Sequence, residues 1–242
     1  MRTLDDSHPS GPPGPDAAVG AVIFDLDGCL VDSEPLSLAT IAEEMAVLGL
    51  DHDWRALRDR YLGVSISTVQ ADVAAETGRP CGPRFAEAVE TRLLARYETE
   101  LRPIPGAPEL LERLRAARLP LAVATGSSVN RMGRTLALSG LEAAFDGHTY
   151  SADLVANGKP APDIFLLAAA RLGQPPEHCL VVEDSPHGVR GARAAGMRAV
   201  GFIGGSHLDG MRAQHAEVLR EAGAERVLGA VEDLLGVPGL RG

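Results

Sequence analysis

The apolar positions of this chain follow two rhythms. The run Ala21-Val22-Ile23-Phe24 is short, apolar, partly β-branched and preceded by Gly20, which predicts a buried strand. After Asp32-Ser33-Glu34-Pro35 the spacing lengthens. Leu36, Ile41, Met45 and Leu48 recur at roughly helical intervals, and Gly49 closes the pattern. Helical segments continue near 53–61, 65–77 and 84–101, with breaks at Gly63, Gly78 and Pro80 to Pro83 and no convincing strand between them. Arg102-Pro103-Ile104-Pro105-Gly106 then predicts a stiff return crossing, because proline fixes the backbone.

From residue 106 helix and strand alternate. Helices are expected at 107–118, 129–139, 162–172, 186–195, 209–222 and 230–235. Strands are expected at 121–125, near 147–151, at 179–183, 199–202 and 226–228. Repeated βα units predict an α/β core with a parallel sheet and helices on both faces. The helical block after the first strand reads as an insertion. The expected organisation is a mobile tail over 1–18, a core domain from 19–34 and 103–242, and an inserted helical cap over 35–102.

Composition narrows the functions open to such a fold. Hydrophobic residues make up 45% of the chain, enough for a sizeable core. The net charge of −10 and the absence of a basic block disfavour nucleic acid as a partner. No apolar run is long enough to span a membrane, and the first residues lack a signal-peptide pattern. Three widely spaced cysteines argue against a disulfide framework, so a cytoplasmic location is expected. Monomer and homodimer are equally compatible with the sequence.

Candidate chemistry gathers where strands end. Asp25 and Asp27 share one side of the chain beyond the first strand, and Gly28 permits a sharp turn after them. Paired carboxylates repel, and a divalent cation would relieve that. A simple turn is the alternative; an EF-hand is not, since Cys29, Leu30 and Val31 follow where ligands would be needed. Thr125-Gly126-Ser127-Ser128 offers either a helix N-cap or a hydroxyl and backbone amides for a phosphate. Lys159 is the only lysine among 23 basic residues, held between Gly158 and Pro160. It is either a chance surface residue or a compact point charge kept for a site. Glu183-Asp184-Ser185 ends an apolar strand, as an N-cap or as a second acidic pair facing a metal. In a parallel sheet these four junctions lie on one edge. Together they describe an oxygen-lined cation site, best suited to Mg²⁺, beside a positive phosphate pocket.

The chain resembles haloacid dehalogenase-superfamily phosphohydrolases with a helical cap, close to the β-phosphoglucomutase-like and 6-phosphogluconate phosphatase-like groups. The matching text is FDLDGCLVDSE at 24–34, ATGSS at 124–128, GKPAPDIF at 158–165 and VVEDSPHGVRGARAAGM at 181–197. Cys29 departs from the Thr or Val usual in these groups. The resemblance implies a Rossmann-like core and a Mg²⁺-dependent phosphatase acting on a small phosphorylated metabolite. A sugar or sugar-acid phosphate is the expected class, and 6-phosphogluconate one candidate. It implies Asp25 as nucleophile and Asp27 as acid and base. Asp25, the Asp27 carbonyl, Asp184 and Glu183 would hold Mg²⁺. Thr125, Gly126, Ser127 and Lys159 would hold the phosphoryl oxygens. Arg60, Gly63 and Ser65 fall in a segment like the family's substrate-recognition loop, and Asn130 and Arg131 are further substrate candidates. A sugar-phosphate mutase is the alternative. Mutases of this resemblance carry a histidine in the first cap helix and a cap lysine, whereas this chain has Ser37 and no cap lysine. A phospho-accepting signalling domain is disfavoured by Asp27 and the cap.

Overall fold

The structure, a computed structural model, describes Gly14, residues 17–62 and residues 66–240. Its centre is strand β1 (Ala21–Phe24), every residue of which is buried. Five further strands follow: β2 (Leu121–Thr125), β3 (Thr149–Ser151), β4 (Cys179–Glu183), β5 (Arg198–Phe202) and β6 (Arg226–Leu228). They form one parallel sheet in the order β3-β2-β1-β4-β5-β6. This is the strand order of the doubly wound Rossmann folds, in which ligands bind at the strand carboxyl ends where the order reverses. That reversal lies between β1 and β4. Asp25 and Asp184, each one residue past its strand, therefore emerge side by side.

Alternation along the strands divides the core. Val22, Phe24, Val123, Leu180, Val182, Val200 and Phe202 face one layer, which includes helix α5 (Ala107–Ala116) and helix α6 (Val129–Ser139). Ala21, Ile23, Ala122, Ala124, Val181 and Ala199 face the other, packed by helices α7 (Asp163–Leu172), α8 (Pro186–Ala194) and α9 (Arg212–Glu221).

Four helices are inserted between β1 and α5: α1 (Glu34–Val47), α2 (Trp54–Tyr61), α3 (Ile66–Thr77) and α4 (Gly82–Glu100). They bury a cluster of their own, including Leu38, Met45, Leu57, Val69, Val73 and Val89. The chain enters and leaves this block through two paired segments. The Asp32 N–H donates to the Arg102 carbonyl at 2.9 Å, and the Ile104 N–H donates to the Leu30 carbonyl at 2.8 Å. Pro103 bridges Val31 in the antiparallel sense.

Three differences from the sequence reading have local causes. Helix α1 starts at Glu34 rather than beyond Pro35, since proline is tolerated in a first helical turn. The helix expected over 209–222 begins at Arg212, because Gly210 turns the chain at φ +83° after a short 3-10 turn at Ser206–Leu208. The segment expected to be a last helix is a 3-10 turn, Val231–Gly236, cut short by Pro238. The expected tail falls mostly outside the described residues. Its end is anchored: the Ala17 carbonyl accepts from the buried Arg198 guanidinium at 2.7 Å.

Candidate active site

Asp25 is pinned by the sheet it leaves, its N–H donating to the Val182 carbonyl at 2.9 Å. Lys159 Nζ reaches across to Asp25 Oδ1 at 2.6 Å and to Glu183 Oε1 at 2.5 Å. Glu183 is fully buried, and its second oxygen accepts from the Ser185 N–H and hydroxyl, both at 3.1 Å. Asp184 completes the cluster: one oxygen from each of Asp25, Glu183 and Asp184 lies within 4.8 Å of the others. Gly28 closes the base of the site at φ +77°, where any side chain would run into the Asp184 carboxylate and the His207 ring.

Burial raises the pKa of Asp25 well above the usual carboxylate range, and Lys159 only partly opposes this. Burial raises Glu183 as well. Burial works against the Lys159 ammonium, but Asp25 and Glu183 outweigh it and push the lysine up. Three buried carboxylates against one ammonium leave surplus negative charge. The donors are all hard oxygens. Both facts fit a Mg²⁺ site, and Asp25, Glu183 and Asp184 are the side chains that would hold the ion.

Asp27 faces a different set of donors. Its Oδ1 accepts from Ser33 Oγ at 2.7 Å and Arg131 Nη2 at 3.1 Å; its Oδ2 accepts from Ser127 Oγ at 2.6 Å and Thr125 Oγ1 at 3.4 Å. Burial disfavours the Asp27 anion, but Arg131 and the two serines outweigh it, and the pKa falls below the usual value. Ser33 stands at the start of α1 without capping the helix, because its hydroxyl is given to Asp27. Thr125 Oγ1 in turn accepts from the Ser127 N–H at 3.1 Å.

A cavity of about 410 Å³ opens above these groups, between the sheet edge and the inserted helices. Asp25, Asp27, Thr125, Gly126, Ser127, Lys159 and Asp184 line it. The fold therefore gathers residues from four separated junctions, Glu183 joining through Lys159. Two expected substrate contacts do not reach it. Arg60 turns away into its own block, paired with Asp72 at 2.9 Å and with Glu76. Asn130 is exposed on α6, where its amide donates to Glu90 Oε1 at 3.1 Å. Gly63 and Ser65 lie outside the described residues. Arg131 does line the cavity, but as the partner of Asp27.

Other residues at the site carry weak sequence signals. Glu34 lines the cavity beside Asp27, and burial lifts its pKa to about 7 against the opposing charges of Arg131 and His207. His207 sits in the loop Gly204-Gly205-Ser206-His207, whose sequence is compatible with a border of the site and with a plain turn. It is fully buried, with Nε2 3.2 Å from Asp184 Oδ2. Burial disfavours its cation, but Asp184 outweighs this and raises the pKa. Its paired glycines were the available signal, since Gly205 leaves room for the ring that a side chain there would strike.

The sequence profile of the haloacid dehalogenase-like hydrolases matches residues 19–196. Protein CbbY of Cereibacter sphaeroides is 32% identical over 92% of this chain and 96% of its own length. Fructose-1-phosphate phosphatase YqaB of Escherichia coli is 36% identical over 74% of this chain and 94% of its own. Among solved structures, a haloacid dehalogenase-like protein of Agrobacterium tumefaciens superposes with a TM-score of 0.78 at 36% identity, covering 91% of this chain and 97% of that one. The chain belongs to the haloacid dehalogenase-like hydrolases. Within that family it is a phosphoric monoester hydrolase.

Proposed function

We propose that the chain is a Mg²⁺-dependent phosphatase of small sugar phosphates, working through a phosphoryl group carried transiently on Asp25. The observation that carries this reading is the cluster of Asp25, Lys159, Glu183 and Asp184, with Asp27 across the same cavity. Bound Mg²⁺ would offset the negative charge of the phosphoryl group and of the surrounding carboxylates.

The residues divide the work. An Asp25 oxygen attacks phosphorus as the ester P–O bond breaks opposite it, and the leaving alkoxide takes a proton from Asp27. Asp27 then accepts a proton from water, whose oxygen attacks phosphorus and breaks the bond to Asp25, releasing phosphate and restoring the carboxylate. Lys159, Thr125 and the Gly126 amide hold the phosphoryl oxygens, joined by the Ser127 amide once it leaves Thr125 Oγ1. As placed, Asp27 is a carboxylate held by Arg131 and two serines, so before the first step it must exchange one of these donors for the ester oxygen and take up a proton from solvent, the proton that it regains from water in the second step. The helical block α1–α4 acts as a cap that excludes water from the cavity, with its hinges at the paired crossings near 32–35 and 102–105.

A mutase must hold a bisphosphate at both ends. No Lys, Arg or His of the inserted block lines the cavity among the described residues, and residues 63–65 are Gly, Val and Ser. Hydrolysis is therefore favoured over isomerisation. 6-Phosphogluconate, the sugar acid suggested by the resemblance, would bring its carboxylate to an end of the cavity where Glu34 and Glu90 stand.

The test is phosphate release from a panel of sugar phosphates with Mg²⁺. Asp25→Asn is expected to lower kcat by at least about 10³-fold. Excess EDTA is expected to abolish turnover and Mg²⁺ to restore it. Full activity in EDTA, or an active Asp25→Asn protein, would refute the reading.

A further inference from the structure

The cavity has two chemically distinct ends. Both of its cations, Lys159 and Arg131, sit at the phosphoryl end, and both are already ion-paired, to Asp25 and Glu183 and to Asp27. The other end is built by the inserted helices. Its walls are aliphatic, from Ile41, Leu62, Ile66, Val69, Val89 and Leu93. Ile66 is 37% exposed, an apolar surface open to a ligand. Among the described residues, the polar groups on this side are Ser37 and Glu90, with Glu34 at the border next to Asp27; all can accept hydrogen bonds and none is cationic.

Four arginines of the inserted block are engaged elsewhere, and none of the block's arginines lines the cavity among the described residues. Arg60 pairs with Asp72 and Glu76, Arg92 with Glu43 and Glu44, and Arg96 with Glu43 and Glu100. Arg58 donates to the His207 and Asp209 carbonyls. A second anion on the substrate would thus meet the Glu90 carboxylate and, above about pH 7, that of Glu34, while the nearest cation, Arg131, is already paired to Asp27; in a partly desolvated cavity such like charges repel. An uncharged polyol meets the opposite conditions. Its hydroxyls donate to Glu34, Ser37 and Glu90, and its C–H face covers the aliphatic wall.

We propose that the pocket selects phosphomonoesters whose leaving alcohol is an uncharged, hydroxyl-bearing carbon skeleton, and rejects esters carrying a second anionic group. The selection is made by Glu34 and Glu90 against anions and by the aliphatic wall of α1, α3 and α4 for the carbon skeleton. The proposal rests on the phosphatase reading for the phosphoryl end alone.

A matched pair of substrates tests it. Glucitol 6-phosphate and 6-phosphogluconate share their carbon skeleton and differ at the far terminus, an alcohol in one and a carboxylate in the other. With Mg²⁺, kcat/KM is expected to be at least about 100-fold higher for glucitol 6-phosphate. The Glu34→Gln, Glu90→Gln double variant is expected to narrow that ratio about tenfold or more. Binding of the same pair to Asp25→Asn protein, followed by calorimetry with Mg²⁺, reads the preference without turnover. A protein that hydrolyses neither ester yet binds glucitol 6-phosphate more tightly supports the selection while removing the phosphatase reading. A preference for the neutral ester below about tenfold in whichever assay gives a signal overturns the proposal, as does an unchanged ratio in the double variant.

Discussion

Glu34 shows how a single side chain records its surroundings. Its carboxyl pKa stands at about 7 in the folded chain against 4.5 for an ordinary glutamate, and burial is the main cause. Between those values the folded state holds a proton that the unfolded state has lost. Stability from this group is therefore greatest below about pH 4.5 and declines as the pH rises through 7. Glu34→Gln removes the charged form. In metal-free buffer the variant is expected to match the parent near pH 5 and to exceed it by about 2 kcal/mol at pH 8, measured by urea unfolding at both values. An advantage that shrinks towards pH 8 would contradict the placement of this carboxyl. Residues such as Glu34 and Ser33 were poorly legible beforehand. Their neighbours in sequence suggest a helix start, and only the sheet brings Asp27 beneath them. Asp25, Asp184 and Lys159 were legible because each follows an apolar strand or stands alone in composition.

At the scale of elements, the strands were readable because a parallel sheet buries both faces and leaves continuous apolar runs. The inserted helices were readable as helices, but not in their facing. Arg60 has the position of a substrate contact in sequence, yet its direction is decided by Asp72 and Glu76, twelve and sixteen residues on. Asn130 likewise follows Glu90 of α4. Such choices depend on pairings between elements that periodicity does not encode. The turn after β1 offers a sharper test. Gly28→Ala places a methyl group against Asp184 and His207 at a backbone angle that alanine adopts with strain. The variant is expected to lose about 2 kcal/mol or more of stability and at least about 100-fold in kcat/KM, read by thermal unfolding and phosphate release. Parent-like activity would show that Asp184 tolerates displacement and is not needed where it lies.

At the scale of the molecule, two apolar clusters share the inserted helices: Leu93 and Tyr97 of α4 belong to the core of the sheet. The inserted block keeps its own apolar cluster, while ion pairs such as Arg134 to Glu98 cross to the sheet domain. Ion pairs of this kind are individually weak at the surface, so the burial of Leu93 and Tyr97 is the stronger part of that boundary. No helix among the described residues is long and apolar enough to cross a membrane.

Arg198 stands at the first residue of β5, the sheet edge remote from Asp25. Its guanidinium clasps the carbonyls of Ala17 and Pro238, while the Val19 N–H reaches Gly239 at 2.9 Å. Residues 17–19 and 238–239 are thereby moored together on the face opposite the mouth of the pocket. Tethering to a bead through either terminus should leave that mouth turned outward, so phosphate release by beads loaded both ways is expected to agree within about twofold. A pronounced handicap for one orientation would mean that the moored face takes part in admitting substrate.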